Sequence, residues 1–367
     1  MVRSMVYGFA SLALTVNSVW AAASYKLVDN YDASNFFTEF DFFTEPDPTH
    51  GFVAYADADT ASRHSLAGFA NDGVYLGVDY ANTTTQGRAS TRVTSKKAYT
   101  KGLFIADIAH MPAGADDSNS CGVWPAFWMV GPDWPNSGEI DIIEGVNNQP
   151  SNTVSLHTAP GCTVTNVGSL TSTKLVSTDC QGNAGCSQDT HPDNNYGTAF
   201  NAAGGGVYAL EWTDDAIKAW FFPRGSDTAT RLSSPAASSS FPSNSSSSAA
   251  TPDPSTFGTP LAVFIGGANC PIAEHFSNHN LVFDTTFCGD WAGKMWGADQ
   301  TCAALASTCE EYVGANPEAF SGAYWLVNGV RVYQADDAGA GAGEGSQLKK
   351  KRDPLRRIRK GVVKWRG

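Results

Sequence analysis

Short runs in which hydrophobic and polar residues partly alternate recur along most of the chain, with turn residues between them. Val, Ile, Thr, Tyr and Phe are frequent in these runs, which is typical of antiparallel strands. The runs lie at 74–80, 89–94, 99–108, 207–212, 217–222, 261–266 and 324–333. Helical periodicity is nearly absent apart from 303–313, and we find no internal repeat. The pattern therefore predicts an all-β fold, a two-sheet antiparallel β-sandwich or jelly roll.

The composition changes at three places along the chain. Residues 1–23 carry a basic residue, Arg3, near their start, continue with an apolar run and end in three alanines, which predicts a cleavable secretion signal. Residues 226–256 are rich in Ser, Thr, Ala and Pro, so we expect a flexible surface insertion loop there. Residues 338–367 form a Gly/Ala linker and a basic run, for which we predict a disordered tail. The strand pattern in between predicts one domain over 24–337.

Charge is unevenly distributed along the chain. The formal net charge is -12, but residues 338–367 carry ten Lys/Arg and two acidic residues, so that segment holds +8 and the remainder -20. An acidic body repels nucleic acid and anionic membranes but tolerates a neutral polymer such as a polysaccharide. After the predicted signal no segment reaches the ~18 apolar residues of a membrane span. We therefore expect neither nucleic acid nor a membrane span, and we expect a monomer.

The cysteine count agrees with secretion to the cell exterior or cell wall. The eight cysteines are Cys121, Cys162, Cys180, Cys186, Cys270, Cys288, Cys302 and Cys309. An even number in an oxidising compartment predicts disulfides, although the sequence leaves their pairing open. No C-x-x-C pair is present, which argues against a zinc ribbon. The glycosylation sequons at 82–84 and 244–246 also agree with secretion.

Three carboxylates lie within six residues in the segment Glu139-Ile140-Asp141-Ile142-Ile143-Glu144. On a regular strand Glu139 and Asp141 share one face and Glu144 points to the other. A single bulge between Asp141 and Glu144 returns Glu144 to the first face. Three like charges on one face repel each other, so an ordinary exposed strand is a poor explanation. Calcium binding is an alternative, but the oxygen-rich loop of a typical calcium site is missing.

Two carboxylates on one face are what glycoside hydrolysis requires. One attacks the anomeric carbon while its protonated partner gives a proton to the leaving oxygen. A retaining pair lies ~5–5.5 Å apart and an inverting pair ~6.5–9.5 Å. With one bulge residue discounted, Glu139 and Glu144 are four positions apart on one face, from which their long side chains can approach to the retaining range. Asp141 between them can hold their two pKa values apart. Two carboxylates suffice for this chemistry, so we expect no cofactor and no metal.

The six-residue segment resembles the E-x-D-x-x-E signature of glycoside hydrolase family 16, the laminarinase and lichenase family. The chain over 24–335 is similar to fungal laminarinase-like members in further motifs. These are Asp47-Pro48-Thr49-His50-Gly51, His110-Met111-Pro112, Cys121-Gly122-Val123-Trp124-Pro125-Ala126-Phe127-Trp128, Leu156-His157-Thr158, Trp220-Phe221-Phe222-Pro223-Arg224, Phe287-Cys288-Gly289-Asp290-Trp291-Ala292-Gly293 and Val330-Arg331-Val332-Tyr333. The resemblance implies a concanavalin A-like jelly roll with a concave glycan-binding cleft. It also implies that Glu139 is the nucleophile, Glu144 the general acid/base and Asp141 the assisting carboxylate.

The same resemblance implies a set of sugar-binding residues. Trp128, Trp134 and Trp291 fall where family members stack sugar rings, and an indole face suits the C–H face of a pyranose. His157 falls where a histidine contacts the sugar beside the cut bond. Arg88 is a further candidate for contact with sugar hydroxyls. The loop between the first two tryptophans is shorter than in many relatives and lacks their charged residue, which leaves the donor-side subsites open.

Other functions on this fold remain as alternatives. A wall-remodelling transglycosylase passes the glycosyl group to a sugar acceptor instead of water. Chitin–glucan cross-linking relatives carry the shorter E-x-D-x-E form, so the longer form here favours hydrolysis. An inert carbohydrate-binding protein is disfavoured because both glutamates are present. A calcium-dependent lectin would be distinguished by the loss of sugar binding when a chelator is added. We therefore expect a secreted retaining endo-glucanase acting on β-1,3-glucan, with mixed β-1,3/1,4-glucan and branched β-1,3/1,6-glucan as open substrates.

Overall fold

Two antiparallel sheets of eight strands each form the body of the protein. The computed structural model describes residues 25–115, 119–165, 173–191, 194–233 and 251–335. Every run that the sequence pattern assigned to a strand overlaps at least one strand of these two sheets or of a small third sheet. The prediction of an all-β, two-sheet jelly roll is confirmed.

The first sheet runs in the order β16-β15-β14-β8-β18-β5-β4, and β1 pairs with β18 outside this path. Its strands are β1 (Tyr25–Tyr31), β4 (Ala67–Ala70), β5 (Gly73–Leu76), β8 (Gly102–His110), β14 (Gly206–Trp212), β15 (Ala216–Pro223), β16 (Ala262–Ile265) and β18 (Trp325–Ala335). Some strands that pair in this sheet, such as β8 and β18, are far apart in the chain. Long connections therefore join neighbouring strands, as in jelly rolls.

The second sheet runs in the order β12-β13-β11-β10-β9-β17-β7-β2 and places β10 near its centre. Its strands are β2 (Phe40–Phe42), β7 (Arg92–Tyr99), β9 (Val123–Val130), β10 (Glu139–Glu144), β11 (Thr153–His157), β12 (Thr173–Ser177), β13 (Cys186–Thr190) and β17 (His279–Phe287). Two short strands, β3 (Val53–Tyr55) and β6 (Arg88–Ser90), form a separate parallel pair.

Alternating side chains divide each strand of the second sheet between the core and the outer face. On β9, Phe127 and Met129 are buried in the core between the sheets, and Phe127 stacks on Phe283 of β17 at 4.2 Å. Burying each large apolar side chain contributes about 1.5–3 kcal/mol. A slip of one residue would expose all of them, so this packing fixes the register and thereby determines which side chains reach the outer face.

The described helices are short and lie in the connections between strands. They are α1 (Phe36–Glu39), α2 (Ala58–Arg63), α3 (Gly197–Ala202), α4 (Asp227–Ser233), α5 (Ile272–His275), α6 (Gln300–Ala303) and α7 (Cys309–Ala315). The helix predicted at 303–313 is divided between α6 and α7, because Asp299 caps the first and Thr308 caps the second. None of the described helices has the length and apolar character to cross a bilayer.

The predicted insertion loop at 226–256 is partly helical. Residues 227–233 form α4, which buries Ala229 and Leu232 against a cluster that includes Phe257. The loop prediction is therefore wrong for this part, because two apolar residues three apart give even a Ser/Thr-rich helix one face to bury. Residues 234–250 lie outside the described residues, as do the predicted signal and the predicted basic tail.

All eight cysteines form disulfides, which confirms the expectation and resolves the pairing. The bonds are Cys121–Cys302, Cys162–Cys270, Cys180–Cys186 and Cys288–Cys309. Three of them join residues 21 to 181 positions apart and so restrict the unfolded chain strongly. The fourth closes a loop with a sequence separation of only 6.

Candidate active site

The three carboxylates of β10 share the outer face of the second sheet. Asp141 pairs with Trp128 of β9, but Ile143 pairs with the next residue along β9 and Glu144 with Ala126. Ile142 is therefore an extra residue, and it returns Glu144 to the face of the other two acids. The bulge predicted from the spacing of the acids is confirmed.

Asn152 holds the backbone at the bulge. Its amide nitrogen donates to the carbonyl of Ile142 at 2.8 Å, and its amide oxygen accepts from the backbone N–H of Glu144 at 2.8 Å. The Asn152 side chain is fully buried. A bulge disrupts the ladder locally, and buried backbone groups without partners are costly, so one side chain satisfies both groups and fixes the direction of Glu144.

His157 lies directly across from Glu139 in the pairing of β10 with β11. Its Nδ1 is 2.8 Å from the carbonyl oxygen of Gly182, which can only accept, so Nδ1 carries a proton. Its Nε2 is then directed at the acids, 3.3 Å from Asp141 Oδ2 and 4.0 Å from Glu139 Oε1. Burial lowers the pKa of His157, but Asp141 and Glu139 raise it by more, to about 10, so the ring is a cation at neutral pH.

Glu139 lies among both signs of charge. Burial and the charge of Asp141 raise the pKa of Glu139 above its usual value. The cations of His157 and Arg92 and a hydrogen bond from Trp134 oppose that rise. About a fifth of the Glu139 side chain (18%) is exposed, so the carboxylate is accessible from the outer face.

Glu144 lies in a less cationic environment than Glu139. Burial raises the pKa of Glu144 well above its usual value, and the charge of Asp141 adds to the rise. The indole N–H of Trp124 donates to Glu144 Oε1 at 2.9 Å. This hydrogen bond lowers the pKa of Glu144, but by less than burial raises it. The cations of His157 and Arg92 thus favour the ionised form of Glu139, whereas burial favours the protonated form of Glu144.

The predicted tryptophans surround these acids on the same side of the sheet. Trp128 alternates with buried residues on β9, and its indole N–H donates to Asp284 at 2.8 Å. Trp134 is 43% exposed, and its hydrogen bond to Glu139 places it at that end of the site. Trp291 is half-buried and meets the Trp124 ring edge-to-face at 5.7 Å, which places it at the end occupied by Glu144.

Three residues at the site were missed by the sequence-based predictions. Trp124 could have been found, because it lies four positions before Trp128 on one strand and so shares its face. Arg92 lies with its guanidinium 4.9 Å from the centre of the Trp128 ring, and Asp284 accepts the Trp128 indole N–H. Both come from strands distant in the chain, so only the sheet order brings them here. Burial raises the pKa of Asp284 to about 6, opposed by Arg92.

Arg88 does not belong to this site. Its side chain is buried, and it donates hydrogen bonds to the backbone carbonyls of Val313, Asp79 and Asn82. The predicted contact of Arg88 with sugar hydroxyls is therefore wrong. The preceding Gln-Gly looks like an exposed turn in the sequence, but Arg88 begins the buried strand β6 and ties the neighbouring loop to α7.

A jelly-roll sandwich whose central strand carries two glutamates around an aspartate, with tryptophans on the same face, defines a glycoside hydrolase domain. The sequence model of the XgeA-like catalytic GH16 domain matches residues 40–333. The chain therefore belongs to glycoside hydrolase family 16, as the resemblance implied.

Relatives with names and solved structures support this assignment. The endo-1,3(4)-beta-glucanase of Arthroderma benhamiae is 44% identical over 86% of this chain and 66% of the relative. GH16 Laminarinase 16A from Phanerochaete chrysosporium is 39% identical with a TM-score of 0.72, over 85% of this chain and 100% of that one. An elongating GH16 beta-1,3-glucosyltransferase is 40% identical with a TM-score of 0.71, over the same shares. The chain spans about two thirds of the first relative's length and about half that of other curated relatives.

Replacing Asn152 tests the role of the bulge. We expect Asn152→Ala to lower the free energy of unfolding by about 2–4 kcal/mol, because two buried backbone groups lose their partners. It should also lower kcat, because Glu144 loses its fixed direction. Urea unfolding and kinetics at a temperature where the variant is folded would measure both.

Asn201 offers a matched control, since its side chain bonds both the N–H and the carbonyl of Met111. Asn201→Ala should lose comparable stability and keep its kcat. Equal losses of kcat in the two variants would contradict a specific role of Asn152 in placing the acid.

Removing the histidine cation tests the electrostatics of the site. A cation favours the ionised form of Glu139, so His157→Asn should raise the pKa of Glu139. If ionised Glu139 is required, the acidic limb of the kcat/KM pH profile should move to higher pH by at least about one unit. His64→Asn, which changes an exposed histidine, is the control. An acidic limb that stays in place or moves to lower pH would contradict this account.

Proposed function

We propose that this chain is a secreted, retaining endo-β-glucanase that hydrolyses β-1,3-linked glucan, with mixed β-1,3/1,4-glucan as a further substrate. The observation that carries the proposal is the pair of glutamates on one face of the bulged strand, with the cations of both His157 and Arg92 acting on Glu139. The names of the relatives, endo-1,3(4)-beta-glucanase and laminarinase, support the substrate class. The four disulfides support secretion.

In the first step of the proposed reaction, ionised Glu139 attacks the anomeric carbon. The glycosidic bond breaks, and the proton of Glu144 moves to the leaving oxygen. The asymmetry of charge provides the required states, because His157 and Arg92 stabilise the carboxylate of Glu139 while Glu144 stays protonated. The products of this step are a glycosyl ester on Glu139, an ionised Glu144 and a shortened glucan.

In the second step, ionised Glu144 removes a proton from water, which attacks the anomeric carbon from the side of the departed sugar. The ester bond breaks, and Glu139 leaves as a carboxylate. The His157 cation, 4.0 Å from Glu139 Oε1, stabilises the returning negative charge. Two inversions at one carbon leave the β configuration unchanged, which is why we propose a retaining enzyme.

The tryptophans extend the site along the glucan on both sides of the cut bond. Trp134 lies toward Glu139, Trp128 lies across from Asp141, and Trp124 and Trp291 lie toward Glu144. We infer that sugar rings stack on these indoles and that Arg92 and Asp284 set the position of Trp128. Binding on both sides is what an enzyme that cuts within a chain requires.

Glucosyl transfer is a second candidate function. One solved neighbour, 40% identical, is an elongating beta-1,3-glucosyltransferase. The same first step serves both reactions, and only the acceptor differs in the second step. Transfer would be favoured if an acceptor sugar bound on Trp124 and Trp291 reacted with the glycosyl ester before water did.

Product analysis with variants tests the proposal. The protein should release short oligosaccharides from laminarin, and proton NMR should find β-anomers first. Glu139→Ala should lower turnover by more than about 10⁴-fold because no nucleophile remains. Glu45→Ala, at an exposed position, should leave turnover unchanged.

The other outcomes of this test are separable. Initial α-anomers would contradict the retaining mechanism and the role of Glu139. Products longer than the starting oligosaccharide, formed at the expense of hydrolysis, would favour the glucosyltransferase. Binding of laminarin without turnover by the unchanged protein would contradict both catalytic functions.

A further inference from the structure

A small disulfide-closed loop lies against the histidine of the site. Cys180 and Cys186 close the loop, and Cys186 is the first residue of β13. The carbonyl of Gly182 within this loop accepts from His157 Nδ1 at 2.8 Å. The loop therefore contacts the ring on the side opposite to the carboxylates.

Backbone hydrogen bonds attach this loop to the residue that follows His157. The N–H of Thr158 donates to the carbonyl of Cys180 at 2.7 Å, and the N–H of Gly182 donates to the carbonyl of Thr158 at 2.9 Å. The loop is thus held from two directions, by its disulfide and by pairing with the chain beyond β11. The acceptor for Nδ1 is consequently fixed in position relative to the ring.

Gly185 in the same loop determines how closely the backbone approaches the ring. A Cβ atom at this position would lie 2.6 Å from His157 Cε1 and 2.7 Å from His157 Nδ1. Its φ of +58° also favours glycine. Because glycine has no Cβ, the backbone at position 185 lies closer to the imidazole than it could with any other residue there.

The opposite edge of the ring depends on this placement. Asp141 Oδ2 is buried and accepts no hydrogen bond of good geometry among the described residues, and His157 Nε2 at 3.3 Å is the cation beside it. Glu139 lies 4.0 Å from the same nitrogen. Rotation of the ring out of this orientation would move Nε2 away from Asp141 and Glu139.

We propose that the disulfide-closed loop 180–186 is a positioning element of the active site, which fixes the orientation of His157 through the Gly182 carbonyl and the close approach of Gly185. The inference rests on the proposed function, because it assigns the loop to the same reaction. The loop residues do not touch the reacting atoms. They act through His157, whose positive charge lies beside Glu139 and Asp141.

Among the described residues, the charges that act most strongly on His157 come from β10. Glu139 and Asp141 are nearest, and Glu144 lies farther along the same strand. Residues 181–185 of the loop have no charged side chain. A change in this loop therefore alters the site through the geometry of the ring and not by adding or removing a charge.

A glycine outside the loop provides the control for the test. Gly225, in the turn after β15, has a φ of +86°, and a Cβ at that position would meet nothing within 4 Å. Gly185→Ala and Gly225→Ala thus both add a methyl group to a glycine with positive φ. A Cβ at position 185 meets His157 and, at 2.7 Å, the backbone carbonyl oxygen of Leu156, whereas a Cβ at position 225 meets no neighbour.

We expect Gly185→Ala to lower kcat/KM for laminarin by ~10²-fold, mainly through kcat, as small misplacements of catalytic groups do. The acidic limb of its pH profile should move to higher pH, since Glu139 loses its cation. NMR of isotope-labelled histidine should find that the His157 signals, assigned by their absence in His157→Asn, titrate at lower pH than in the unchanged protein. Gly225→Ala should change none of these readouts, although both variants lose some thermal stability.

Equal effects of the two substitutions, or an unmoved His157 titration in a folded Gly185→Ala, would overturn the proposal. The double substitution Cys180→Ser/Cys186→Ser should resemble Gly185→Ala, and an unaltered His157 titration there would show that the disulfide is not needed for positioning. The NMR titration needs no substrate. If the unchanged protein fails to cleave β-glucan, the proposed function fails, while the titration still decides whether the loop positions His157.

Discussion

A β-strand alternates its side chains between two faces, so two residues five apart, such as Glu139 and Glu144, point in opposite directions. The extra residue Ile142 cancels that alternation once, and Asn152 satisfies the backbone groups that the bulge leaves without ladder partners. The core packing of β9 and β10 fixes the register on either side. The placement of both glutamates on one face therefore depends on one bulge held by one buried amide.

Position alone does not give the two glutamates different roles, and the difference comes from their surroundings. Burial and Asp141 raise the pKa of both side chains, whereas the His157 and Arg92 cations lie beside Glu139. In the proposed mechanism one carboxylate is thus ionised for attack while the other holds its proton. The arrangement gathers several like charges in a buried place, which destabilises the folded state. Such a cost is typical of sites where activity and stability conflict.

The sequence was sufficient for the sheets, the bulge and the acids, because alternation and the spacing of Glu139, Asp141 and Glu144 are local signals. It was insufficient for Arg92 and Asp284, which reach the site only through the order β9-β17-β7, a property of the whole sheet. Arg88 was misassigned because a local turn pattern says nothing about burial. The role proposed for the small disulfide loop likewise needed the cysteine pairing, which spacing cannot provide.

The central claim is that Glu139 forms a covalent bond to the sugar during the reaction. Incubation with a 2-deoxy-2-fluoro β-1,3-glucosyl donor that carries a good leaving group slows the second step and traps the ester. Mass spectrometry of the digested protein should then find the sugar on the peptide that contains Glu139, with protein inactivated in proportion. Labelling of Glu144, or turnover of natural substrate with inversion and without any trapped ester, would contradict the account.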